Sequence, residues 1–72
     1  MRVISQDGHI NVPYRTNSFY LVKEDNAEQW HIALRTLDFR MYYPLATFDN
    51  AEDAEAVFNK MSKAIFRRKF QL

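Results

Sequence analysis

The sequence contains no cysteine, and this absence excludes two kinds of site. No disulfide bond can form, and no thiolate is available as a metal ligand. A metal site needs three or four converging ligands, yet the only histidines are His9, beside a turn, and His31, within a strand. Both are expected to be ordinary surface or half-buried side chains. We therefore predict that the protein holds no metal ion.

Glycine is almost as scarce, since Gly8 is the only one. A chain with a single glycine cannot build the glycine-rich loop that cradles the phosphates of a nucleotide. No serine lies in a Gly-x-Ser-x-Gly elbow, and 72 residues leave little concave surface for a substrate pocket. The sequence therefore predicts no catalytic residue, no cofactor and no enzymatic activity.

Long apolar runs are also missing. The longest run is a few residues, whereas about 20 apolar residues are needed to span a bilayer. The N-terminus lacks the apolar core of a signal peptide. We predict a single cytoplasmic domain over residues 1–72, without a membrane partner.

Net charge of one sign is nearly absent, because ten Lys and Arg side chains face nine Asp and Glu side chains. The total therefore neither favours nor excludes a polyanionic partner. The distribution is uneven: residues 49–55 carry four acids and no base, whereas residues 60–69 carry five bases and no acid. This polarity either complements the dipole of a helix or marks a binding surface.

Strands are predicted to fill residues 2–48, beginning with a hairpin. The pair Asp7-Gly8 separates two short segments of high β-propensity and is a strong hairpin signal. It predicts a type I′ turn in which Gly8 takes a positive φ, a conformation that glycine adopts without steric cost.

Further strands are predicted over residues 18–23, 29–36 and 40–48. Pro44 cannot donate to a strand ladder, so it marks an edge or a bulge in the last of them. Because the connections are short, consecutive strands are expected to pair as an antiparallel meander of four to five strands.

A single amphipathic helix follows, over about residues 50–66. Asp49 with Glu52 has the spacing of a capping box at its start. The apolar side chains recur every three or four residues and form one stripe: Ala54, Val57, Phe58, Met61, Ala64 and Ile65. The fold class is therefore predicted to be α+β, a small antiparallel meander with one C-terminal helix on one face and a basic tail over residues 67–72.

The opening MRVISQDG (residues 1–8), followed by INVPY (residues 10–14), resembles a group of short uncharacterised proteins from Gram-positive bacteria, their phages and their mobile elements. Residues 45–54 resemble the junction in those proteins between a strand with an aromatic residue and an Ala-containing helix. The resemblance implies no known activity, cofactor or catalytic residue. It implies a phage-linked or mobile-element origin, where small accessory proteins usually act by binding another molecule.

Protein binding is the first functional hypothesis, because one helix covers only one face of a sheet. Alternation along the clearest strand places Trp30, Ile32 and Leu34 toward the helix. The other face is expected to carry a mixture of aromatic, Met and Arg side chains that is enriched at interfaces. The candidate protein interface comprises His31, Arg35, Met41, Tyr43 and Leu45. Its partner would be a second copy, giving a homodimer, or a host protein; a solvated face is the alternative.

Nucleic-acid binding through the basic end of the helix is the second hypothesis. Positive side chains contact phosphates, and unpaired bases stack on exposed aromatic rings. No helix-turn-helix pattern or RRM aromatic motif accompanies these charges. The candidate nucleic-acid contacts are Lys60, Lys63, Phe66, Arg67, Arg68 and Lys69.

Overall fold

The computed structural model describes residues 1–24, 28–35 and 42–72, and within them the chain forms six strands and one helix. The predicted α+β class is confirmed. In chain order the elements are β1 (Arg2–Ile4), β2 (Asn11–Pro13), β3 (Phe19–Lys23), β4 (Trp30–Arg35), β5 (Tyr42–Phe48), α1 (Ala51–Lys63) and β6 (Lys69–Gln71).

The predicted meander is present in β3, β4 and β5, which pair in that order as an antiparallel sheet, here called the central sheet. Leu21, Ile32 and Ala46 lie opposite one another across it. Ile32 and Ala46 belong to the buried core and Leu21 packs against them, so this row faces inward. Side chains alternate along each strand, so the neighbours of these residues point to the other face.

The remaining strands form a second sheet of order β2-β1-β6, here called the terminal sheet, where the sequence predicted one continuous meander. β6 runs parallel to β1, and it occupies part of the segment predicted to be a basic tail. The Arg2 N–H donates to the Arg68 carbonyl at 2.8 Å, and the Leu72 N–H donates to the Ile4 carbonyl at 2.9 Å. A strand of three residues is too short to show a periodicity, which is why the sequence pattern did not indicate it.

The hairpin between β1 and β2 has the predicted positive φ, 81° at Gly8, but not the predicted turn. The Gly8 N–H donates to the Ser5 carbonyl at 2.9 Å, and the Ser5 N–H donates to the Ile10 carbonyl at 2.8 Å. Gly8 therefore closes a turn that starts at Ser5, whereas a type I′ turn would place it at a central position. Asp7 accepts from the Ser5 hydroxyl at 2.6 Å and from the His9 N–H at 2.9 Å. These two hydrogen bonds hold the pKa of the Asp7 carboxyl below its usual value, the serine hydroxyl being the larger cause.

Helix α1 begins one residue later than the capping pattern indicated. Asn50 is the N-cap: its side-chain oxygen accepts from the Asp53 N–H at 2.8 Å, and its amide donates to the Asp53 carboxylate at 3.1 Å. The N-cap pair is therefore Asn50 with Asp53, and the predicted capping box of Asp49 with Glu52 is wrong. Asparagine accepts this bond as well as aspartate does, so the sequence alone does not decide whether Asp49 or Asn50 is the N-cap.

The stripe of α1 faces the central sheet as predicted over most of its length. Ala54 and Met61 are fully buried, and Val57 and Phe58 pack against the core. The helix ends at Lys63, three residues short of the predicted end. Ile65, the last member of the stripe, is therefore not held against the sheet and is 53% exposed. The core joins both sheets and the helix through Val3, Ile32, Leu45, Ala46 and Met61.

Candidate nucleic-acid interface

Strand β5 carries a β-bulge at Leu45. Ile32 lies opposite Ala46, whereas the next residue, Ala33, lies opposite Pro44, so Leu45 has no partner on β4. The extra residue turns inward, is 3% exposed and packs with Ile32 and Ala46. The position of Pro44 agrees with the edge or bulge that the sequence predicted, because proline has no N–H to donate to a ladder.

The bulge changes which residues share the outer face of the central sheet, the face away from α1. Beyond it, Tyr42 lies opposite Arg35, and Tyr43 lies opposite Leu34, which packs against the core. Tyr43 is therefore not on the face of Arg35, and the predicted grouping of these two residues is wrong. One inserted residue reverses the facing of the whole strand beyond it, because side chains alternate with a period of two.

Two further residues of the predicted protein interface are buried. Leu45 belongs to the core, and His31 is only 7% exposed. The Nδ1 atom of His31 lies 3.0 Å from the Thr47 hydroxyl oxygen, and its Nε2 atom lies 3.4 Å from a carboxylate oxygen of Glu24. Both ring nitrogens are thus occupied within the chain. Met41, the fifth residue of the predicted interface, lies outside the described residues.

Arg35 is exposed, but it has neighbours that the sequence pattern did not indicate. Its guanidinium lies 5.6 Å from the centroid of the Tyr20 ring, in a cation–π arrangement. The rings of Tyr20 and Tyr42 meet edge to face with 6.4 Å between centroids. These three residues are here called the tyrosine cluster.

The predicted nucleic-acid contacts, in contrast, are partly brought together by the fold. Four of the six line one groove of about 740 Å³. The groove lies where the end of α1, the following turn and β6 meet. Its cationic lining, here called the basic groove, comprises Lys60, Lys63, Arg67 and Lys69, and the other lining residues are Ala64, Phe70 and Gln71.

Local hydrogen bonds and strand pairing bring these cations together. Lys60 and Lys63 lie in the last turn of α1. The chain then reverses through a turn in which the Arg67 N–H donates to the Ala64 carbonyl at 2.9 Å. β6 carries Lys69 back alongside β1, where the Gln71 side chain donates to the Ser5 carbonyl at 2.6 Å.

The groove has a strong positive character. No acid lines it, and within the described part of the chain no carboxylate lies within salt-bridge distance of its four cations. A helix C-terminus carries the equivalent of about half a negative charge, so the dipole of α1 balances only a fraction of this positive charge. The groove is therefore suited to an anion with several charged groups.

The two remaining predicted contacts, Phe66 and Arg68, do not line the groove. Phe66 is 96% exposed, between the lining residues Ala64 and Arg67 in sequence. Arg68 is also exposed, and its backbone carbonyl accepts the Arg2 N–H that starts the pairing of β6 with β1. Phe70, which the sequence placed next to the basic run, both lines the groove and packs against the core.

Comparison of the chain with protein-family models, with curated proteins and with solved structures gave no match. The resemblance of residues 1–14 to short phage-associated proteins thus stays a prediction. In residues 1–24, 28–35 and 42–72, no three His, Asp or Glu side chains lie close enough together to hold a metal ion. Across the same residues, no helix has the length and apolar character that crossing a bilayer requires.

Proposed function

We propose that the protein is a non-enzymatic, cytoplasmic nucleic-acid-binding protein whose basic groove contacts phosphates. The observation that carries this proposal is the convergence of Lys60, Lys63, Arg67 and Lys69 on one groove that no acid lines, with no carboxylate of the described chain within salt-bridge distance of them. Binding releases the counterions of the phosphates that these side chains neutralise, so affinity should fall steeply with salt.

The test is a fluorescence-anisotropy titration of labelled oligonucleotides over a series of salt concentrations. Four phosphate contacts predict a slope of log affinity against log salt of about −3 for a single strand. Lys60→Gln combined with Arg67→Gln should weaken binding and bring the slope to about half that value. The matched control is Arg15→Gln with Lys23→Gln, which removes the same charge from exposed residues that do not line the groove.

Equal weakening by both pairs would show that overall charge, and not the groove, attracts the nucleic acid. If wild-type protein binds neither DNA nor RNA at tens of micromolar in low salt, the proposal is wrong.

Protein binding is a second candidate function, now supported by the tyrosine cluster. Tyr and Arg are, together with Trp, the residue types enriched among residues that dominate interface energy. The cation–π contact of Arg35 with Tyr20 also holds two of these side chains in position before any partner arrives. Sedimentation equilibrium tests the homodimer: a monomer–dimer equilibrium that Tyr20→Ala shifts to monomer supports it, and a monomer at hundreds of micromolar contradicts it.

A further inference from the structure

Phe66 is the most exposed of the large apolar side chains in the described chain, at 96%. A phenylalanine that touches almost nothing contributes nothing to the core, and exposing its ring to water is unfavourable. The ring is held in a turn, since the Arg67 N–H of the next residue donates to the Ala64 carbonyl. Phe66 thus directly precedes the groove residue Arg67 in the chain, and its ring is uncovered by the protein.

An uncovered ring next to phosphate-binding cations distinguishes between two forms of nucleic acid. In a duplex the faces of the bases are stacked on one another, and a protein reaches only their edges. In a single strand the bases are free to stack on an aromatic side chain, and every base has a face that can do so.

The origin of the lining points the same way. The groove has a volume of about 740 Å³, and its cations come from α1, the following turn and β6. A flexible single strand can follow cations that are carried by three different elements, and a positively charged groove of this kind is how single-strand binders track the backbone.

We infer that the basic groove binds single-stranded nucleic acid, with phosphates on Lys60, Lys63, Arg67 and Lys69 and a base stacked on the ring of Phe66. This inference rests on the proposed function and names its ligand class. The cations supply affinity for any polyanion, and the ring supplies the preference for unpaired bases.

The experiment compares four labelled probes by fluorescence anisotropy: oligothymidylate, oligouridylate, a DNA duplex of the same length, and heparin, which has negative charge but no bases. Wild-type protein should bind both single strands more tightly than the duplex. Phe66→Ala should weaken single-strand binding by about 5- to 150-fold, the range found when a base-stacking ring is truncated, and should leave heparin binding unchanged.

Two matched variants separate stacking from general effects. Phe66→Tyr keeps an aromatic face and should bind single strands as wild type does. Ile65→Ala removes the neighbouring exposed apolar side chain, 53% exposed, which has no aromatic face, and should change nothing. Thermal melting of each variant checks that the fold is retained.

Several outcomes would overturn the inference. Tighter binding of the duplex, or equal single-strand affinity of wild type and Phe66→Ala, would leave the proposed function standing and remove the role of the ring. Failure of wild type to bind any oligonucleotide would remove the proposed function as well. Binding to vesicles of phosphatidylserine and phosphatidylcholine in place of oligonucleotides, weakened by Phe66→Ala, would assign the ring to a membrane surface.

Discussion

At the scale of single residues, the turn between β1 and β2 contains a residue that joins the two sheets. The Gln6 N–H donates to the Leu45 carbonyl at 2.7 Å, and the Gln6 side-chain oxygen accepts from the Thr47 N–H at 3.1 Å. β5 is at the edge of the central sheet that the described strands form, and none of those strands pairs with these backbone groups on that side. Gln6 satisfies them and fixes the hairpin against the bulge.

The conformation of this turn depends on Gly8. Its φ of +81° is unfavourable for residues with a Cβ atom, although an added Cβ would meet no atom within 4 Å. Gly8→Val should therefore lower the free energy of unfolding by about 1–3 kcal/mol through backbone strain alone. Gly8→Asn is the control and should cost less, because Asn populates the left-handed region more readily. Urea titration measures both, and a Val variant as stable as wild type would mean that the turn forms without a positive φ.

At the scale of elements, Met61 joins the stripe of α1 to both sheets, because it is fully buried among core residues that include Val3 and Ile32. Met61→Ala should cost about 2–5 kcal/mol, because it removes buried surface and leaves a cavity. A domain of this size has only a few kcal/mol of stability, so cooperative melting should be lost. Glu55→Ala, exposed on the same helix, should change stability by less than about 0.5 kcal/mol. A Met61→Ala variant that melts near the wild-type temperature would show that α1 packs differently.

The sequence predicted α1 and the central sheet because their signals are local. Periodicity identifies the helix face, and alternation over Trp30–Arg35 identifies the inward row. The sequence could not predict which side of β5 faces α1. Pro44 indicates an edge or a bulge, but the extra residue is decided by the register against β4, and that register reverses the places of Tyr42 and Tyr43.

The residues of the candidate site were predicted only in part, because a charge count is a local signal and the convergence of the charges is not. Charge counting identifies the five bases of residues 60–69. Their convergence depends on β6 pairing with β1, a contact between the two ends of the chain that includes the bond from Gln71 to Ser5. No local pattern encodes a pairing across 66 residues, so the groove and the separation of Arg68 from it became visible only in the structure.

At the scale of the whole molecule, a net charge of +1 hides a pronounced charge asymmetry. The first turn of α1 carries Glu52 and Asp53, and its last turn carries Lys60 and Lys63. These two pairs are centred nine helical residues apart, about 14 Å along the axis, which exceeds the Debye length of about 8 Å at physiological salt. A polyanion close to the protein is therefore repelled by one end and attracted by the other, which orients it toward the basic groove.

If the basic groove binds nucleic acid as proposed, its binding depends on the folding of the terminal sheet, and Phe70 belongs to both. Phe70 lies opposite Val3 on β1, packs against the core and lines the groove, yet it carries no charge. Phe70→Ala should loosen β6 and release Lys69 from its fixed position. Single-strand affinity should then fall several-fold, and the magnitude of the salt slope should decrease by about 0.7, the contribution of one phosphate contact. Phe70→Leu keeps an apolar side chain and should stay close to wild type.

Hydrogen exchange of two amides reports on β6 independently of binding. The Arg2 N–H is bonded to the Arg68 carbonyl and the Leu72 N–H to the Ile4 carbonyl, so both should exchange faster in Phe70→Ala and not in Phe70→Leu. Faster exchange together with an unchanged affinity and salt slope would contradict the coupling. The cations would then act as a flexible cluster whose attraction does not depend on the shape of the groove. Faster exchange with the predicted loss of affinity would instead show that the pairing of the chain's two ends builds the binding surface.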